Sequence, residues 1–135
     1  MPISRPLRLV LLWLILIVCM ILHFNYNVGK IFYGIEVARA NAEGVVPFGT
    51  HLIRNIFYHL PLLWILILLF YHRASIRMGL FFISVIYTLS HAAHLVGELT
   101  QPDWSQGPLL SLTLLLSVVL SVEHYRYWRG GAALE

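Results

Sequence analysis

Two histidines and a glutamate lie close together within an apolar part of the chain. Residues 90–98 read SHAAHLVGE, and they follow the run GLFFISVIYTL. On an α-helix, His91 and His94 are three residues apart and Glu98 is four further on, so all three share one face. Two imidazoles at this spacing can bind one metal ion from the same side, and His and carboxylate ligands suit zinc, iron or copper. The segment therefore predicts a metal site, with Glu98 as a ligand or, failing that, as a general base.

A second set of polar residues lies on an earlier apolar segment. His51, Asn55 and His59 recur every four residues, so on a helix they form a stripe that drifts by about 40° per step. This stripe spans roughly 12 Å, and the one from His91 to Glu98 spans roughly 10 Å. If the two segments pack as antiparallel neighbours, the stripes match in depth and His59 lies level with His91. The predicted metal ligands are His59, His91, His94 and Glu98, with His51 and Asn55 as second candidates.

The composition indicates what positions these stripes. The chain is 59% hydrophobic and 11% charged, whereas soluble domains carry about 25% charged residues. A bilayer span takes roughly 20 helical residues, and four runs are long enough: 7–26, 51–71, 77–98 and 108–125. We predict an all-α integral membrane protein, with residues 1–129 forming a single bundle of four transmembrane helices. The tail GGAALE, residues 130–135, is interpreted as a cloning remnant.

Arginines predict the orientation of the bundle. Pairs of arginines lie at the start of span 1, in the link between spans 2 and 3, and after span 4: Arg5 and Arg8, Arg73 and Arg77, Arg126 and Arg129. The link 99–107 has neither Lys nor Arg. By the positive-inside rule both termini are cytoplasmic, which suggests a multi-pass protein of the cell inner membrane. The connection 27–50 then faces outward, and its pattern favours either a short interfacial helix or an extension of span 1.

The remaining polar residues have structural interpretations. Arg54, about one turn into span 2, is expected to anchor the helix at the interface, or to pair with Glu98 or Glu43. Pro61 is expected to kink span 2 and open room beside His59. Three small polar residues at four-residue spacing favour close packing of span 4: Thr113, Ser117 and Ser121. Three further histidines, each near an interface where histidine costs little, are expected not to be ligands: His23, His72 and His124.

Several functions stay open on the sequence alone. A b-type haem could be held by His59 and His91, because axial ligands must come from opposite faces. The histidines could instead form a proton or cation relay in an oligomer, or the chain could be a structural subunit of a larger membrane complex. HExxH and GxSxG are both absent from the sequence, so no enzyme class is indicated. The expected partners are the lipid bilayer, a lipid-like substrate, and either further copies of the chain or a larger complex. The net charge of +3 comes with the arginine-rich ends and does not indicate nucleic-acid binding.

Overall fold

Four long helices account for most of the structure. The computed structural model describes residues 3–38, 42, 44–100 and 104–130, and no strand occurs among them. The helices are α1 (Arg5–Gly29), α2 (Phe48–Phe70), α3 (Ala74–Leu99) and α4 (Gly107–Arg129). Each is long and apolar enough to cross a membrane. The prediction of an all-helical protein with four helices of spanning length is therefore confirmed.

The connection after α1 begins as a continuation of that helix. A 3-10 turn over Lys30–Tyr33 extends α1 and stops at Gly34, whose φ of 73° suits glycine and strains other residues. Residues 35–38 are not helical, so the interfacial helix is not formed there and the extension of span 1 is the observed alternative. The rest of that predicted helix includes residues 39–41 and 43, which lie outside the described residues.

Helices α1 and α4 take the two middle positions in the packing. Helix α1 packs against α2 and α4, and α3 packs along α4. Trp13 of α1 and Leu120 of α4 are fully buried in this core. The outer faces of all four helices remain apolar and exposed, as helices with a lipid-facing surface require.

Small polar residues hold α3 against α4. Ser84 and Ser117 are fully buried, which lets the two backbones approach closely. Thr88 Oγ1 donates to the Ser117 carbonyl at 2.9 Å and lies 2.9 Å from Ser121 Oγ. The close packing predicted for span 4 is thus observed, and its partner is α3.

Both described ends of the chain meet at one end of the bundle, which we call the arginine end (Arg5, Arg8, Arg73, Arg126). Glu123 of α4 is 5% exposed and accepts from Arg8 Nη1 at 3.2 Å and from Arg126 Nη1 at 2.8 Å. Arg5 donates to the Arg126 carbonyl at 3.0 Å. At the residue after Glu123, the buried Nε2 of His124 accepts from Trp13 Nε1 at 3.0 Å. These contacts join α1 to α4.

A π-helical turn interrupts α2. It covers Asn55–His59, and the Leu60 N–H closes it on the Asn55 carbonyl. Pro61 follows at once and has no N–H, so the Ile56 carbonyl loses the partner that the π pattern would give it. The hydroxyl of Tyr87 on α3 donates to this carbonyl instead. The freed carbonyl therefore fastens α2 to α3 through Tyr87.

Candidate functional site: a histidine-lined cavity

The opposite end of the bundle, where α1 and α3 finish, contains a cavity. We call it the histidine end. The cavity has a volume of about 970 Å³, is open on one side, and is bounded by α1, α2, α3 and the connection before α2. The backbones of α2 and α3 do not pack closely along their length, and the cavity occupies the space this leaves. The large ring of Phe57 sits at its inner end, with its centroid 5.5 Å from that of Tyr87 and 5.6 Å from that of His91.

Two histidines from different helices meet at the wall of this cavity. His23 of α1 and His94 of α3 bring their Nε2 atoms to 3.1 Å, with the rings nearly perpendicular at 88°. Helices α1 and α3 run in the same direction from the arginine end, and the two residues lie 18 and 20 positions after their helices start. At 1.5 Å per residue both are therefore roughly 27–30 Å from that end. His23, which was expected not to be a ligand, is the partner of His94.

The third histidine of the cavity is His91. It is 3% exposed and lies against the rings of Phe57 and Tyr87. Its Nε2 atom is buried without a hydrogen-bond partner among the described residues. A buried polar atom left unpaired costs about 1–3 kcal/mol, so a bound ion, water or ligand is the usual reason for one to persist.

The predicted stripe on α2 does not face the stripe on α3. His59 is exposed and its Nδ1 lies 2.6 Å from Asn55 Oδ1, while Asn55 Nδ2 donates to the His51 carbonyl at 3.0 Å. All three residues contact their own helix and lie outside the cavity lining. The reason is local: Phe57 faces α3, and His59, two residues later, points to the other side of the helix. The structure therefore does not bring His59 and His91 together at the cavity.

Glu98 also lies apart from the cavity lining. It is one turn beyond His94, partly exposed, and close to the end of α3. Within the described part of the chain, no three His, Cys, Asp or Glu side chains come close enough to hold a metal ion. The predicted four-ligand set is therefore not assembled, and the arrangement offers the His23–His94 pair with His91 nearby.

One arginine lines the cavity from α2. Arg54 lies six residues into α2, and its guanidinium carbon is 6.0 Å from the centre of the Phe24 ring. No carboxylate of the described residues is within ion-pair distance of Arg54, so the expected pair with Glu98 is not formed; Glu43 lies outside those residues. Lys30 and Glu36 line the cavity nearer its mouth.

Comparison with known proteins adds no assignment. No family model matches the chain, and no curated protein or solved structure is significantly similar to it.

Proposed function

We propose that this chain is a multi-pass protein of the cell inner membrane that binds a transition-metal ion through His23 and His94. The proposed topology has the arginine end in the cytoplasm and the histidine end outside. Its support is the grouping of Arg5, Arg8 and Arg126 at one end of the bundle, which the positive-inside rule assigns to the cytoplasm. The metal site would then open toward the periplasm of a bacterium.

The observation that carries the metal proposal is the distance of 3.1 Å between the two Nε2 atoms. Nitrogen ligands lie about 2.0–2.1 Å from zinc, so two of them on a tetrahedral ion are roughly 3.3 Å apart. A small rotation of either ring, which moves its Nε2 atom by a few tenths of an ångström, would give that spacing. His91 lines the same cavity and has an unpaired Nε2 atom, and the remaining coordination positions would face the cavity. An open position of this kind is typical of ions that act on a bound molecule.

Metal content of the purified protein tests the proposal. The protein is prepared without a polyhistidine tag, loaded with zinc, copper(II) or iron(II), desalted, and measured by mass spectrometry of the elements. We expect His23→Gln and His94→Gln each to lose most of the bound ion. The matched control is His59→Gln, because His59 is exposed on α2 and bonded to Asn55. An ion retained in the two cavity variants, or lost only in the control, would refute the assignment.

A second candidate function uses the same pair of rings. A distance of 3.1 Å also suits an N–H···N hydrogen bond, through which two histidines can exchange a proton. Going inward, however, the next buried groups are His91, Tyr87 and Trp13, and an indole N–H only donates. A relay of this kind would need another route past Trp13. Histidine-dependent proton flux into liposomes, in protein free of metal, would favour the relay over the metal site.

A further inference from the structure

We propose that the cavity at the histidine end binds a single-chain amphipathic anion, with a phosphate or carboxylate head on Arg54 and a hydrocarbon chain between α2 and α3. The inference names the substrate class of the site described above, and it rests on the proposed function only in placing the ligand beside the histidine pair. Neither the charge of Arg54 nor the shape of the cavity requires a metal ion.

Charge is the first support. Arg54 lies roughly 9 Å along α2 from Phe48, which is 82% exposed at the start of that helix. An arginine at this depth is costly unless it is paired or solvated. Its guanidinium carbon lies 6.0 Å from the centre of the Phe24 ring, and none of the described carboxylates is within ion-pair distance. The guanidinium fork matches phosphate and carboxylate oxygens in pairs, so an anionic head supplies a partner that the described residues do not.

The shape and lining of the cavity are the second support. Its volume of about 970 Å³ is at the upper end of the range for small-molecule sites. The lining combines charged and polar side chains, among them Arg54, with apolar side chains, among them Met20 and Phe57. A ligand with one charged end and one hydrocarbon end can contact both kinds of side chain, whereas a free inorganic anion would leave the apolar part of the cavity unfilled.

The position of the opening is the third support. Helices α2 and α3 flank the cavity, and their backbones are held apart by Phe57 and Tyr87 rather than packed together. Ser90 lines the cavity from α3, while the preceding residue, Leu89, is 65% exposed on the outer surface. A hydrocarbon chain in the surrounding lipid could therefore enter from the side between these two helices. At the inner end, the unpaired Nε2 of His91 offers a polar contact to whatever fills the space.

The test uses dodecyl phosphate as the probe. Dodecanol, which has only the hydrocarbon chain, and inorganic phosphate, which has only the anionic group, are the two control ligands. Binding to the whole chain is measured by native mass spectrometry from a non-ionic detergent, with EDTA present so that no metal contributes. We expect dodecyl phosphate to bind and each control ligand to bind much more weakly. We expect Arg54→Gln to weaken binding about tenfold or more, since charge-assisted hydrogen bonds are worth about 1.5–3 kcal/mol. Its control is Arg73→Gln, which removes an exposed arginine at the opposite end.

A second pair of variants tests the cavity itself. Ser90→Phe places a ring in the space, and Ser111→Phe places the same ring on the exposed face of α4. Binding lost in the first and kept in the second supports the proposal. Equal binding of inorganic phosphate and dodecyl phosphate would mean a site for free anions. Unchanged binding in both Arg54→Gln and Ser90→Phe would place the probe elsewhere. Either result would overturn the proposal. Probe binding without any metal binding would refute the metal site alone, and metal binding without probe binding would refute this inference alone.

Discussion

The buried carboxylate of Glu123 allows the packing of α1 on α4 to be tested quantitatively. Its two oxygens accept from Arg8 at 3.2 Å and from Arg126 at 2.8 Å, while the carboxylate is 6% exposed and the arginines are 48% and 61% exposed. Exposed arginines reduce the value of each pair, because water screens them and rehydrates them when the pair is broken. We therefore assign about 0.5–1 kcal/mol to the contact between Arg8 and Glu123, which is the one that joins the two helices.

The perturbation is a double-mutant cycle with Arg8→Gln, Glu123→Gln and the double variant. Glu123→Gln removes both charged contacts and is expected to cost about 1–2 kcal/mol, whereas Arg8→Gln leaves the pair with Arg126 and is expected to cost about half as much. Unfolding is followed in mixed detergent micelles by circular dichroism. A coupling energy of about 0.5–1 kcal/mol is the expected result. A coupling of zero, with Glu123→Gln as stable as the unchanged protein, would show that the ion pair between Arg8 and Glu123 does not hold α1 to α4.

Two further predictions concern His91 and the topology. His91→Phe removes a buried unpaired nitrogen, so it is expected to leave the free energy of unfolding unchanged or to raise it by about 1–3 kcal/mol. The same variant is expected to weaken metal binding. Clear destabilisation without any effect on metal binding would show that the His91 ring serves only in packing. The topology is tested with a membrane-impermeant maleimide. Thr100→Cys at the histidine end is expected to react on intact cells, and Ser75→Cys at the arginine end only after lysis. The background is low because the one native cysteine, Cys19, is buried. Labelling in the reverse order would invert the proposed orientation.

The sequence predicts the helices well because their determinants are local. Runs of apolar residues of spanning length, the arginines at their ends and Pro61 in α2 each act through neighbouring residues. The i, i+3 spacing of His91 and His94 likewise places both on the cavity side of α3 without any knowledge of the other helices.

The partners of those histidines were not predictable in the same way, because they depend on which helices meet. Spans 2 and 3 were expected to pack as antiparallel neighbours because a short link joins them, whereas α2 packs on α1, α3 packs on α4, and the rings of Phe57 and Tyr87 lie between α2 and α3. The π turn also shifts the helical register of α2, and the spacing of residues in the sequence does not predict this shift. One available signal was missed: His23 and His94 lie at matching depths on two helices that run in the same direction.

Glu123 and His124 were missed for a related reason. Near the end of a span, a charged residue or a histidine costs little free energy, so its position alone does not indicate whether it is buried. Here the arginines of α1 and α4 converge on Glu123, and Trp13 provides the donor for His124. Only the packing of α1 on α4 turns these two residues into core contacts.

The central claim is that His23 and His94 bind one metal ion together, and X-ray absorption at the metal edge tests it most directly. Protein without a tag is loaded with one equivalent of zinc or copper, and the spectrum is compared with that of the variant carrying both His23→Gln and His94→Gln. The account predicts at least two imidazole nitrogens at about 2.0 Å from the ion, and their loss in the double variant. A ligand shell of oxygen alone, or an imidazole signal that persists in the double variant, would contradict it.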